Sequence, residues 1–166
     1  KAAVPESVVG LLRRPGVAVG MLGCVLAHTG QYSLFTYIRP TLESLGQMSA
    51  DGLALILLGF GVANFVGTLL AGWLMERSLK VTLVIMPALV GAAALGMLLL
   101  PVGVGGLSVL VALWGLAFGG VPVAWSSWVA RAVPDQAESA GGMVVAAVQS
   151  SIAAGAALGG LVFGFG

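Results

Sequence analysis

Apolar positions in this chain neither alternate nor keep to one helical stripe. They come in long unbroken runs set between short clusters of charge. Pro15–Ile38 and Gly52–Met75 lack Asp, Glu, Lys and Arg over 24 residues each, Val81–Ala130 over 50, and Ser139–Gly166 over 28. A helix crosses the hydrocarbon core of a bilayer with about 20 apolar residues. Membrane-barrel strands would instead alternate over about 10 residues. Helices and closed barrels are the structures that satisfy their own backbone in lipid. The runs therefore predict an all-α polytopic membrane protein of five transmembrane helices, at about 15–38, 52–75, 81–100, 107–130 and 141–165. Pro101-Val-Gly-Val-Gly-Gly106 supplies the turn inside the longest run.

The ends of these helices carry signals of their own. Arg39-Pro40 is expected to stop the first span, and Ser49 or Asp51 to cap the second. Pro134-Asp135-Gln-Ala-Glu138 reads as a helix start, with Asp135 as N-cap and Glu138 closing a capping box. Pro122 follows Gly119-Gly120 and is expected to kink the fourth span, whereas Pro87 lies near the start of the third, where proline is tolerated.

Composition narrows the class. Hydrophobic residues make up 59% of the chain and charged residues 8%, with a mean hydropathy of +1.09. A soluble domain carries roughly 25% charged residues. An ordinary soluble domain, a disordered segment and a nucleic-acid binder are thereby excluded. The net charge is +1, with no basic stripe to meet phosphates. Cys24 is the sole cysteine, so neither an intramolecular disulfide nor a cysteine-based metal site can form. Lys1, Arg13, Arg14, Arg77, Lys80 and Arg131 fall on one side of the five spans and Arg39 on the other. That bias predicts a cytoplasmic N-terminus in the cell's inner membrane and an external C-terminus. No signal-peptide pattern opens the chain. There is no initiator Met and no polar flank after the last span, so the sequence is expected to be a fragment.

Glycine accounts for 26 of the 166 residues. Small residues recur every fourth position: Gly59, Ala63, Gly67 and Ala71 in the second span, and Ala147, Ser151, Gly155 and Gly159 in the fifth. Each set lets a neighbouring helix approach closely, as a static seam or as one that slides.

No Asp, Glu, Lys or Arg lies deep in a span, and His28 is the titratable group near the middle of the first. His28, Gln31, Tyr32 and Phe35 share a face of the first, which Arg39 continues outward. That stripe can hydrogen-bond and can stack on a flat ring. It lines a cavity, or it bonds to neighbouring helices and lines nothing. Asn64 with Thr68, and Gln149 with Ser150, are either interhelical ties or ligand contacts. Trp125, Ser126, Ser127 and Trp128 end the fourth span, where Trp serves as an interfacial anchor, or else as a gate or a substrate wall; Trp73 is read as an anchor. There is no phosphate loop, no metal-ligand spacing and no nucleophile elbow, so no catalytic residues, metal or cofactor are expected and the chain is not read as an enzyme.

One segment resembles a known signature. Gly72-Trp-Leu74-Met-Glu76-Arg77-Ser-Leu-Lys80 is similar to the G-x-L-x-D-R-x-G-R-R loop of the major facilitator superfamily, with Glu76 in place of Asp and Leu79 in place of the second Gly. Those departures suit the weaker copy of the motif between helices 8 and 9. Gly30-Gln-Tyr-Ser-Leu-Phe-Thr-Tyr-Ile-Arg-Pro40, Pro122-Val-Ala-Trp-Ser-Ser-Trp-Val-Ala-Arg131 and Asp135-Gln-Ala-Glu138-Ser-Ala-Gly141 resemble the drug:proton antiporter branch, which includes sugar and nucleoside efflux permeases. The resemblance implies that the spans are helices 7–11 of a twelve-helix transporter. Residues 1–14 would end its central cytoplasmic linker and 15–166 form a partial C-terminal bundle. The missing N-terminal half and twelfth helix would be its partners, with the bilayer around them.

The implied activity is efflux of a small solute, a purine nucleoside favoured over sugars or drugs, against proton entry by alternating access. His28, Gln31, Tyr32, Phe35, Asn64 and Gln149 are then candidate substrate contacts. Gly72, Leu74, Glu76, Arg77 and Lys80 form the loop motif, with Glu76 and Arg77 in a cytoplasmic charge latch; Arg77 and Lys80 as plain topology signals are the other reading. The proton-carrying acid would lie in the other half. Taken literally, five spans also suit a non-transporting module that binds partner helices.

Overall fold

The computed structural model describes residues 7–46 and 49–164. The expectations for residues 1–6, Lys1 among them, and for the end of the fifth span at 165 lie outside the described residues. The elements run α1 (Val8–Arg13), α2 (Val17–Gly46), α3 (Ala50–Leu99), α4 (Val104–Ala132), a 3-10 turn (Pro134–Gln136) and α5 (Ala137–Gly164). Every regular element among the described residues is helical. Ala50–Leu99, Val104–Ala132 and the stretch Pro134–Leu161 are long and apolar enough to cross a membrane, judged by length and composition. The fold is all-α and of membrane type. α2 is long enough too, at 30 residues or roughly 45 Å, but His28, Thr29, Gln31, Tyr32 and Ser33 make its middle polar.

α3 is two helices in one. Its 50 residues would make a straight rod of about 75 Å, more than twice the roughly 30 Å hydrocarbon core. The break is at Ser78, whose backbone is extended (φ −161°, ψ 105°). Ser78 then caps the second arm, its Oγ accepting the N–H of Val81 at 3.3 Å. Ser7 and Ser49 cap α1 and α3 in the same way, through Gly10 at 3.2 Å and Gly52 at 3.3 Å. The loop expected around Glu76–Lys80 is thus a break of one residue between helical flanks.

Two other ends correct the sequence expectation. Pro40 does not stop α2, which runs on to Gly46. Pro40 removes one donor, but Ile38 and Leu42 on either side are buried at 4% and 0% exposure, and Arg39 pairs with Glu43 one turn on at 2.8 Å. Packing on both sides of the proline keeps the helix going. Asp135 is not an N-cap: Val133 precedes the 3-10 turn with no side-chain cap. An Arg takes the carboxylate instead. Arg14 Nη1 and Nη2 donate to Asp135 Oδ1 and Oδ2, each at 2.7 Å, a fork geometry stronger than a neutral cap bond.

The chain divides into two compact units, Lys1–Ser33 with Trp125–Gly166, and Leu34–Ala124. In the second unit both arms of α3 pack on α4. Gly120 lies against Ala71 of one arm and Met86 of the other, seven and eight residues from Ser78 on either side. The arms therefore form a hairpin that reverses at Ser78. Its core joins Ile56 of the first arm and Val90, Ala93 and Met97 of the second to Val111, Trp114 and Ala117 of α4. In the first unit α1 packs on α5, and Leu11, Val133 and Ala140 are fully buried. Gly16, at φ +79°, turns the chain from α1 into α2, a backbone state that favours glycine.

Candidate functional site

In the first unit the polar residues of α2 are packed away. His28 and Gln31 are each 1% exposed and Tyr32 is half-buried. His28 Nδ1 lies 2.8 Å from the Cys24 carbonyl oxygen. A carbonyl only accepts, so this bond puts the ring proton on Nδ1. Trp125 meets the His28 ring edge-on at 6.1 Å and donates from Nε1 to the Gly20 carbonyl at 3.0 Å. A side chain at Gly20 would run into the Trp128 ring, and one at Gly23 would touch Trp125. As numbers rise from Gly20 to Gly23 on α2 they fall from Trp128 to Trp125 on α4, so the two segments run antiparallel. Trp125, expected as an anchor or gate, is 5% exposed and serves as a packed wedge. The glycine trough opens room for it, and the Gly20 carbonyl satisfies its indole N–H.

The fifth-span seam closes where the spacing predicts. Ser151 is buried, its Oγ donating to Ala147 O at 2.7 Å. A methyl at Gly155 would lie 2.7 Å from Thr29 O and 2.9 Å from Ser33 N on α2. Gln149 is on the exposed side of α5, off the face that carries Ser151 and Gly155. The structure therefore does not bring Gln149 to the packed face where His28 and Gln31 are buried.

Phe35 and Asn64 belong to the second unit. Phe35 stacks at 5.6 Å on Phe60 and 6.0 Å on Trp114, which are 4.8 Å from each other. Trp114 is fully buried and anchors this trio; no motif in the sequence marks it. Asn64 Nδ2 donates to Gly115 O at 3.3 Å, and Thr68 Oγ1 to Gly119 O at 3.1 Å. Both rungs join residues 51 apart in sequence, so the first arm of α3 runs parallel to α4, as alternating traverses of a bilayer require. Here the ties hold helices together. The seam itself is rotated from the expected row. Gly67 and Ala71 are in it, and backbone atoms of Leu116 crowd Gly67, but Gly59 is exposed with open space around it. The reason is that α4 brings its own glycines, Gly115, Gly119 and Gly120, so bulkier Phe60 and Asn64 fit opposite them.

The loop motif is also in the second unit. Glu76, Arg77 and Lys80 are exposed, Leu74 is half-buried, and Gly72 has open space around it. Arg77 lays its guanidinium 3.6 Å above the Trp73 ring, a cation–π contact one helical turn back. Among the described residues no group of three His, Cys, Asp or Glu is placed to hold a metal ion. The candidate residues thus divide, His28, Gln31, Tyr32 and Gln149 in one unit, Phe35, Asn64 and the loop motif in the other.

Long apolar helices, parallel and antiparallel neighbours, glycine seams and side-chain ties to backbone carbonyls define the class: a multi-pass α-helical membrane protein. Its likeness to particular proteins is equally plain. The chain is 42% identical over 155 residues to the purine ribonucleoside efflux pump NepI of Salmonella paratyphi B and to that of Salmonella enteritidis, and 41% identical to that of Salmonella typhimurium. Each match takes in 93% of this chain and 39% of the pump, so the chain spans about two-fifths of the length of these curated relatives. No family model and no solved structure matches it. The likeness to efflux transporters read from the sequence is thus matched by relatives that carry the name efflux pump.

Proposed function

We propose that this chain is the greater part of the C-terminal half of a proton-coupled efflux transporter of the major facilitator superfamily, exporting a purine ribonucleoside by alternating access. The observation that carries the proposal is the 42% identity to purine ribonucleoside efflux pumps, sustained over 93% of the chain. Residues 1–14 end the central linker on the cytoplasmic side, and 15–166 supply helices 7–11. The rest of the transporter supplies the other half of the substrate path and the acid that carries the proton, since no Asp, Glu, Lys or Arg lies deep in a span.

The substrate contacts of this half come from the α2 face. Gln31 offers both a donor and an acceptor to a base edge, and Tyr32 offers a ring. His28, with Nδ1–H on Cys24 O, orients the turn before them. Asn64 holds α4 rather than solute. Glu76 and Arg77 belong to a cytoplasmic latch, and in the form seen here Arg77 is parked on Trp73.

The test is tolerance of cells to a toxic purine ribonucleoside analogue. Expression of the intact gene is expected to raise tolerance. Glu76→Gln and Arg77→Ala are expected to abolish the gain at equal membrane abundance. Gln31→Ala is expected to weaken solute binding more than Cys24→Ala. No gain from the intact gene, or a gain for cationic drugs alone, would overturn the substrate assignment.

A further inference from the structure

The function proposed above gives α1 no role beyond ending the central linker. Its inner side is accounted for: Leu11 is fully buried and the helix packs on α5. The outer side is not. Val8, Val9 and Leu12 are 54%, 60% and 37% exposed, and Arg13 is exposed beside them. Val9 and Arg13 are four residues apart, so they stack on the side opposite Leu11. Half of a six-residue helix is thus aliphatic and uncovered, with a cation at its edge.

Position decides what covers it. α2, a membrane-spanning helix in this account, begins at Val17, four residues after Arg13. Even extended, that link reaches only about 14 Å, so α1 cannot leave the neighbourhood of the headgroups. It cannot swing freely either. Arg14, at the C-cap of α1, forks onto Asp135 in the turn before α5 with two bonds of 2.7 Å. Arg131, exposed in the last turn of α4, adds a further cation to this unit. An exposed aliphatic helix face with Arg at its border, held beside a membrane span, gains by entering the acyl boundary while the cation stays among anionic headgroups.

We infer that α1 is a membrane-surface helix, strapped to the start of α5 by the Arg14–Asp135 pair, whose outer face of Val8, Val9, Leu12 and Arg13 binds the anionic headgroup layer of the bilayer. The aliphatic side chains enter the acyl boundary, and Arg13 meets lipid phosphate. The strap sets the height and angle at which the segment ahead of the first span meets the membrane.

The test uses the intact protein with Cys24→Ala and Val9→Cys carrying a nitroxide, reconstituted in vesicles of phosphatidylcholine or of phosphatidylcholine with one-third phosphatidylglycerol. Collision with a water-soluble relaxation agent and with oxygen gives the depth of the label. It is expected at headgroup depth in the mixed vesicles, with aqueous collisions fewer there than in the neutral ones. Arg13→Gln is expected to weaken that preference by about fivefold, the worth of one basic residue near an anionic surface. Asp135→Asn is expected to raise aqueous collisions, and the swap Arg14→Asp with Asp135→Arg to lower them again. A label as open to the aqueous agent as free nitroxide would overturn the inference. So would protection that ignores lipid charge, which would mean that protein covers α1, or an Arg13→Gln variant that keeps the full preference. An Asp135→Asn variant with unchanged collisions would overturn the strap.

Discussion

At Gly67 and Gly119 the backbones of α3 and α4 come too close for any side chain. A Cβ on Gly67 would meet the Leu116 carbonyl, and one on Gly119 the Asn64 carbonyl, and carbonyls do not move aside as a flexible side chain does. Gly119→Leu is therefore expected to lower the detergent melting temperature by more than any substitution at Gly59, where space is open. The seam loses several kcal/mol, in the range of severe overpacking. Asn64→Leu removes one tie to Gly115 and should cost only about 0.6 kcal/mol, the average for such bonds in membranes. Its solute affinity should stay as in the parent protein, whereas a drop larger than that of Gln31→Ala would return Asn64 to the substrate site. These contacts were half legible in the sequence. The spacing of Gly67 and Ala71 is visible there, but which small residues meet depends on the rotation of the partner helix. Trp114 and Trp125 lack any pattern that separates a buried ring from an interfacial one.

Among the elements, the hairpin of α3 and the strap on α1 carry the clearest expectations. Charged Glu76–Lys80 marked the position of a loop between two spans, yet the turn takes one extended residue, because a serine at 78 can both break the helix and cap the next arm. Ser78→Ala is expected to loosen the start of the second arm by about 1 kcal/mol, seen as faster amide exchange at Val81 than at Val90. The Arg14–Asp135 pair escaped the sequence because its partners are 121 residues apart and Asp135 has the look of a local cap. Its pH behaviour follows from the sign of the shift. The Arg14 guanidinium, hydrogen-bonded to Asp135, holds that carboxyl below the ordinary 3.8. The unfolded chain then takes up the proton first as pH falls. The stability difference between the parent protein and Asp135→Asn should be constant from about pH 8 to pH 5 and vanish as pH drops through the lowered folded value. A difference already lost by pH 6 would contradict the pair.

For the molecule as a whole, the order of the long apolar helices was legible, though short α1 was not, because the energetic rule is coarse: an uncharged run of this length has no stable home in water. The division of the candidate residues between two units was not, since it rests on packing that no single helix encodes. Topology belongs to this scale. Cysteines placed at Arg13 and at Lys80 should react with an impermeant thiol reagent only from the cytoplasmic side, and one at Arg39 only from outside; the reverse pattern would contradict the orientation drawn from the basic residues. Transport belongs to it as well, and is tested most directly in inverted inner-membrane vesicles carrying the intact protein. Imposing an acid interior should drive uptake of radiolabelled purine ribonucleoside, and a protonophore should stop it. Vesicles that hold the correctly inserted protein yet accumulate no nucleoside under that gradient would contradict the account.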